Sequence, residues 1–144
     1  MKIDKIILTN FRQYYGPNVI ELMTNNERNI VLLGGKTGYG KTNFLLSLVW
    51  CLYGEDIAKI DEGFKKEIQK DGNYSKFLKS SLNWDKAKEG ESKFSVEIFI
   101  SEIELPETRE NHQGNHYKGR IKREFNTNSS SDFFDITIDG VTNS

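Results

Sequence analysis

The sequence is poor in the features that mark several classes of protein. Its one cysteine, Cys51, cannot form an internal disulfide, so a reducing, cytoplasmic location is the default expectation. The longest apolar run is much too short to cross a bilayer, and charged Lys2, Asp4 and Lys5 interrupt any leader-like stretch at the N-terminus. With 20 basic and 21 acidic residues the formal charge is −1, so any contact with nucleic acid must be local.

Metal-binding and nucleophile patterns are also scarce. His112 and His116 are four residues apart, but they lie in a polar stretch without cysteines or an ordered set of acids around them. No Ser-His-Asp or Cys-His arrangement can be argued. The length of 144 residues suits one domain with one core.

One stretch stands out, a glycine-rich loop between an apolar run and an apolar segment. The loop Gly35–Thr42 reads GKTGYGKT, which fits G-x-x-x-x-G-K-[ST] at every fixed position. Ile30–Leu33 predicts a buried strand before it, and Phe44–Leu52 predicts a buried helix after it, ending at Gly54. This context favours a phosphate-binding loop over a glycine turn without a ligand.

The chemistry of such a loop assigns a role to each of its ends. Its glycines allow consecutive backbone N–H groups to point at phosphates, and the start of the following helix adds partial positive charge. Lys41 is the predicted catalytic residue, reaching the β- and γ-phosphates, and the Thr42 hydroxyl is the predicted Mg²⁺ ligand.

The rest of the chain predicts an antiparallel sheet with a helical insert. Residues 2–9 and 19–22 read as an antiparallel pair of strands before the loop, and residues 92–100, 117–125 and 133–138 as a β-meander. Between them, residues 55–82 predict short helices broken at 71–73, and residues 83–91 predict a polar connection. The first pair either flanks a nucleotide or merely covers a sheet edge. The lysine-rich insert either contacts a phosphate backbone or is a solvated helix surface.

Three segments together resemble a known family: Ile7–Gly16 with its NFRQYYG, the loop Gly35–Thr42, and Trp50–Glu55 with its WCLYGE. They are similar to the N-terminal head lobe of the SMC-like ATPases, ABC-type proteins with coiled-coil arms that act on DNA. The likeness is greatest to the DndD group, which serves bacterial DNA phosphorothioate modification. The resemblance implies an α/β P-loop NTPase fold, with residues 1–144 as one lobe whose antiparallel meander flanks the P-loop strand and helix.

The resemblance also implies a set of binding residues and two cofactors, ATP and Mg²⁺. An Asn10–Arg12 loop lies beside the nucleotide or the DNA in such heads. An arginine after a strand end suits a phosphate or adenine contact, although Arg12 can also be read as a surface arginine. The implied nucleotide-binding residues are Arg12, Gly35, Gly38, Tyr39, Gly40, Lys41, Thr42 and Asn43.

The sequence departs from the family pattern in the loop and further along. Thr37 stands where relatives commonly have asparagine, and Tyr39 where they have a small residue. The nearest look-alike of a Walker B motif, Ile98–Glu102, lacks the aspartate, and there is no LSGG-like signature. Gln113 does not occupy a plausible Q-loop position. In the family these parts belong to a C-terminal lobe, so the chain is expected to be an incomplete head.

Three functions are compatible with the sequence. The first is an ATP-binding lobe whose hydrolysis needs the C-terminal lobe and a second head, with DNA and other DNA-modification or repair subunits as partners and no membrane. A repair or recombination head of the same family is its alternative. The second is a non-catalytic nucleotide-binding or structural module. The third, a stand-alone kinase, is disfavoured because a meander replaces βαβα alternation.

Overall fold

The alternating stretches form one antiparallel sheet in the computed structural model, which describes residues 1–36, 40–104 and 116–139. Neighbouring strands pair in the order β2-β1-β3-β4-β5. The predicted strand pair before the glycine-rich loop and the predicted meander are confirmed. The strands are β1 (Lys2–Thr9), β2 (Pro17–Glu21), β3 (Lys93–Ile103), β4 (Tyr117–Asn126) and β5 (Ser131–Asp139).

Some residues of the predictions lie outside the described part of the chain. These are Thr37, Gly38 and Tyr39 of the glycine-rich loop, and residues 105–115, which include His112 and Gln113.

In the described part of the chain, five helices lie between β2 and β3, and polar residues set the ends of most of them. They are α1 (Lys41–Tyr53), α2 (Ile57–Ile60), α3 (Glu62–Asp71), α4 (Tyr74–Lys79) and α5 (Trp84–Lys88), with a short 3₁₀ turn at Gly54–Asp56. Gly54, with φ of 56°, ends α1 as predicted. Asp61 and Asn73 cap α3 and α4 by accepting bonds from backbone N–H groups, so the predicted break between helices at residues 71–73 is confirmed, while α2 is an additional helix.

The prediction of a polar connection over residues 83–91 is wrong, because α5 occupies most of it. Asn83 caps this helix by accepting a hydrogen bond from the Lys86 N–H. Asp85 lies in its first turn and Lys88 in its last, so each side chain has the charge opposite in sign to the nearer end of the helix dipole. The polar residues that suggested a loop therefore stabilise a helix.

The core lies between α1 and one face of the sheet. Ile6, Val96 and Ile98 alternate along β1 and β3 so that their side chains point to this face, and all are fully or almost fully buried. Trp50 of α1 packs against Phe94, with ring centroids 5.2 Å apart. Cys51 is buried beside Trp50, as predicted for a small hydrophobic side chain, and burial raises the pKa of its thiol to about 12.

A chain of hydrogen bonds joins α1, α4 and β5 at the edge of this core. The Trp50 indole N–H donates to the Tyr74 hydroxyl at 2.9 Å, and that hydroxyl donates to Asp132 at 3.1 Å. Asp132 also pairs with Arg123 at 3.2 Å, and the Arg123 Nε donates to the Cys51 carbonyl at 3.1 Å. Burial is the largest effect that raises the pKa of Tyr74, followed by the nearby Asp132 charge.

The predicted strand at Ile30–Leu33 is absent, and the run is not buried. Residues 22–36 have no strand, and Ile30 and Leu32 are 75% and 89% exposed. The reason is that a central strand needs hydrogen-bonding partners on both sides. The antiparallel sheet offers none next to β1, whose two edges are taken by β2 and β3.

Candidate functional site

The start of α1 presents backbone donors that suit an anionic ligand. Gly40 precedes the helix with φ of 98°, and its carbonyl accepts the first helical hydrogen bond from the Phe44 N–H at 2.9 Å. No side chain in the described part of the chain caps this end, and the first turn holds no acidic residue. The N–H groups of residues 41–43 therefore lack intrahelical acceptors at the positive end of the helix dipole.

The lysine and the first glycine of the loop lie side by side. A Cβ placed on Gly35 would be 3.8 Å from Cγ and Cδ of Lys41, so the chain passes next to the lysine stem. Lys41 and Thr42 are both exposed. The structure thus brings Gly35, Gly40, Lys41 and Thr42 to one end of α1, while Gly38 and Tyr39 lie outside the described residues.

The Asn10–Gln13 loop approaches the same end of α1 from β1. The Arg12 Nη1 donates a hydrogen bond to Asn43 Oδ1 at 2.8 Å, so two of the sequence-predicted binding residues contact each other. The Arg12 Nη2 lies 3.8 Å from a Glu67 carboxylate oxygen, and its Nε is 3.4 Å from the Ser81 hydroxyl. Burial lowers the pKa of Arg12 and Glu67 opposes this, but an arginine remains charged at neutral pH.

The loop is held in a strained conformation by the helical insert. Asn10 and Arg12 have φ of 56° and 49°, a region that costs a residue such as arginine about 1–2 kcal/mol and an asparagine less. The Arg12 N–H donates to the Ser81 carbonyl at 2.7 Å, and the Asn83 N–H donates to the Asn10 carbonyl at 2.8 Å. The Asn83 side chain also donates to the Arg12 carbonyl at 2.7 Å. These bonds compensate the strain and fix the direction of the Arg12 side chain.

Gln13 is a site residue that the sequence reading missed. Its Oε1 accepts a hydrogen bond from the Asn43 Nδ2 at 2.6 Å. Its Nε2 fills the space that a side chain on Gly40 would need, so the two residues are in direct contact. In the sequence, only its position directly after Arg12 suggested a role for Gln13, because its two contact partners are about 30 residues further along the chain.

An open cleft of about 470 Å³ lies on the other side of Arg12. Glu67 and Asp71 of α3 and the exposed indole of Trp84 bound it. The cleft carries charges of both signs and one aromatic surface. Arg12 lines it and also contacts Asn43, so Arg12 lies between this cleft and the start of α1.

Comparison with protein-family models matches residues 5–142 to the AAA domain family. The chain belongs to this family. A search of curated proteins found no match. Membership of the AAA domain family supports a general SMC-like ATPase with an ATP-binding, ATPase-like function.

The residues of this AAA domain fit the nucleotide and Mg²⁺ that such a family implies. A triphosphate suits the uncapped start of α1 because the backbone donors and Lys41 offset its charge. The Thr42 hydroxyl supplies one oxygen ligand, and Mg²⁺ commonly takes its others from phosphates and water. Within residues 1–36, 40–104 and 116–139, no three His, Cys, Asp or Glu side chains gather as a separate metal site. In the same ranges, no helix is long and apolar enough to span a membrane.

Proposed function

We propose that this AAA domain binds ATP with Mg²⁺ at the start of α1 and is one lobe of a DNA-associated SMC-like ATPase head. The observation that carries the proposal is the uncapped first turn of α1, with Gly40 in a positive-φ conformation and Lys41 beside Gly35. A phosphate group placed there meets N–H groups without intrahelical acceptors, a helix dipole and an ammonium group together.

Each residue of the loop has a specific task in this proposal. The N–H groups of residues 41–43 donate to phosphate oxygens, and Lys41 contacts the β- and γ-phosphates. Thr42 orients the metal through its hydroxyl. Gly35 borders the phosphates, and the family resemblance implies the same role for Gly38 and Tyr39, which lie outside the described residues. Bound Mg²⁺ neutralises phosphate charge and orients the terminal phosphoryl group.

Exposed apolar surfaces support docking of a second lobe. Besides Ile30 and Leu32, α1 leaves Leu45 and Leu52 exposed on the side away from the sheet. Leu45 and Leu52 are seven residues apart and so share one side of α1, and exposed apolar residues on one helix side commonly mark an interface. We propose that the C-terminal lobe of the same head covers these surfaces and supplies the catalytic acid, with a second head closing on ATP.

A DNA partner is supported by the insert and by the family resemblance. Lys66 and Lys70 of α3 and Lys76 and Lys79 of α4 are exposed, and no ion pair of theirs is seen among the described residues. They are suited to phosphate contacts of a DNA backbone. The NFRQYYG and WCLYGE segments favour a head of DNA phosphorothioate modification, acting with other modification subunits, over a repair or recombination head.

The nucleotide site is tested by titrating ATP with Mg²⁺ against the chain and its Lys41→Ala variant. Loss of a charge-assisted contact predicts at least about tenfold weaker binding in the variant. Lys66→Ala, a substitution of the same type on the exposed side of α3, is the matched control and should bind like the parent chain. Equal affinity of the parent and Lys41→Ala would overturn the proposal.

The lobe assignment is tested by measuring ATP hydrolysis. We expect little turnover from these 144 residues alone and a gain when a C-terminal lobe from a DndD-type protein is added. Rapid multiple-turnover hydrolysis by the chain alone would contradict the proposed division of the active site. Absence of any effect of DNA on the completed head would count against the DNA-associated role.

A further inference from the structure

Three side chains connect the start of α1 with the helical insert α3–α5, and they form what we term the side-chain bridge (Arg12, Gln13 and Asn43). Asn43 is its middle member, because its Oδ1 accepts from Arg12 at 2.8 Å and its Nδ2 donates to Gln13 at 2.6 Å. Both groups of this amide are therefore engaged with protein partners. This arrangement gives the Asn43 side chain a structural task beside the proposed phosphate contact of its backbone N–H.

At one end the bridge touches the turn that presents the phosphate-binding N–H groups. The Gln13 Nε2 occupies the space beside Gly40 where any larger residue would have a Cβ atom. Gly40 has φ of 98°, which other residues rarely adopt. Because no gap separates Gln13 from Gly40, a movement of this turn displaces the Gln13 side chain and, through it, Asn43.

At the other end the bridge is anchored in the insert. Arg12 reaches Glu67 of α3 at 3.8 Å, and its guanidinium lies 5.4 Å from the centroid of the Phe77 ring of α4. Its backbone N–H donates to the Ser81 carbonyl, which follows α4. Asn43 is therefore linked through Arg12 to two helices of the insert.

We infer that the side-chain bridge couples ligand occupancy at the start of α1 to the position of α3–α5, with Gln13 and Asn43 as positioning residues. The inference rests on the proposed nucleotide binding and adds a regulatory connection to the same site. Coupling of this kind is reciprocal, so whatever fixes the insert also changes nucleotide affinity. A partner docked on the exposed side of α3 or α4 would thereby tighten or loosen ATP binding.

A double-mutant cycle tests whether the bridge acts as one unit. ATP with Mg²⁺ is titrated against Gln13→Ala, Asn43→Ala and the double variant. Each single variant should weaken binding about 3–10-fold, in the range found for coupling residues. The double variant should be no weaker than the weaker single one, because both changes remove the same hydrogen bond. Multiplying effects would overturn the inference. Gln69→Ala, on the exposed side of α3, is the matched control.

Amide hydrogen exchange tests the transmission to the insert. In the parent chain, ATP with Mg²⁺ should slow exchange in α3–α5, and Asn43→Ala should abolish this protection while its melting temperature stays close to the parent value. Glu67→Gln should reduce the protection, whereas Glu62→Gln, which removes the same charge from an exposed site on α3, should not. Equal protection in the parent and Asn43→Ala would refute the coupling.

The two proposals fail in distinguishable ways. If Lys41→Ala weakens ATP binding while all bridge variants match the parent chain, the site stands and the coupling falls. If Lys41→Ala and the parent bind equally, the proposed site itself is wrong, and the coupling falls with it. Gln13→Ala removes the same Asn43–Gln13 hydrogen bond without adding a charge beside the phosphates, so it replaces Asn43→Ala in the exchange experiment if that variant does not fold.

Discussion

Replacing Tyr74 by phenylalanine removes one hydroxyl from the chain of hydrogen bonds that joins α1, α4 and β5. That hydroxyl accepts from the Trp50 indole at 2.9 Å and donates to Asp132 at 3.1 Å. Trp50 is fully buried, so its N–H loses its acceptor without gaining access to water. Asp132 keeps its ion pair with Arg123 at 3.2 Å, so the cost is concentrated on the indole.

The magnitude follows from the unsatisfied donor. A buried donor without a partner costs about 1–3 kcal/mol, and we expect about 2 kcal/mol of lost unfolding free energy for Tyr74→Phe. With about 2.1 cal/mol/K of unfolding entropy per residue, the whole chain has about 0.3 kcal/mol/K. The melting temperature should therefore fall by roughly 7 °C.

Thermal unfolding followed by circular dichroism measures this directly. Tyr15→Phe is the matched control, since the Tyr15 hydroxyl donates to Glu89 at 2.6 Å but lies at the exposed surface. Its melting temperature should stay within about 1 °C of the parent value, as for most surface substitutions. An equally small shift for Tyr74→Phe would refute the reasoning that the Trp50 indole depends on this acceptor.

Three further predictions concern separate parts of the chain. Gly54→Ala should cost more than about 1 kcal/mol in chemical denaturation, because φ is 56° and the new Cβ would lie 2.7 Å from the Arg123 guanidinium. The pKa of Cys51 is raised to about 12 by burial, above its unfolded value. The neutral thiol therefore contributes fully to the free energy of unfolding below about pH 8.5, and this contribution is lost towards pH 12 by about 1.4 kcal/mol per pH unit. Chemical denaturation of Cys51→Ala should lack this decrease at alkaline pH. Leu32→Glu should leave the melting temperature unchanged and reduce self-association in light scattering, because Leu32 is 89% exposed.

Local patterns predicted much of the fold. The alternation of Phe94, Val96 and Ile98 identified β3 and the face that it buries, because side chains on a strand alternate between faces. Gly54 marked the end of α1, because glycine readily adopts the positive φ found at this helix end. The meander and the strand pair before the loop could be read in the same way.

Features that depend on distant partners could not be predicted in this way. Ile30–Leu33 has the composition of a central strand, but composition does not supply neighbouring strands, and the run remains exposed. Gln13 and Asn83 gave no local sign of their roles, because their contacts span about 30 and 71 residues. For Arg12 the reasoning from charge predicted a place near the loop, and the structure shows contact with Asn43 there; its role towards a nucleotide remains a prediction.

The order of the strands has a consequence for the kinetics of folding. β1 lies between β2 and β3, yet β3 begins at Lys93, more than 80 residues after the end of β1. Such a large sequence separation slows folding, because a long loop must close before the pairing stabilises it. On a ribosome that adds about 5–20 residues per second, Ile6 and Leu8 wait roughly 5–20 s for β3 to be synthesised. During that time only β2 can pair with β1, so the other edge of β1 is open to chaperones and to other nascent chains.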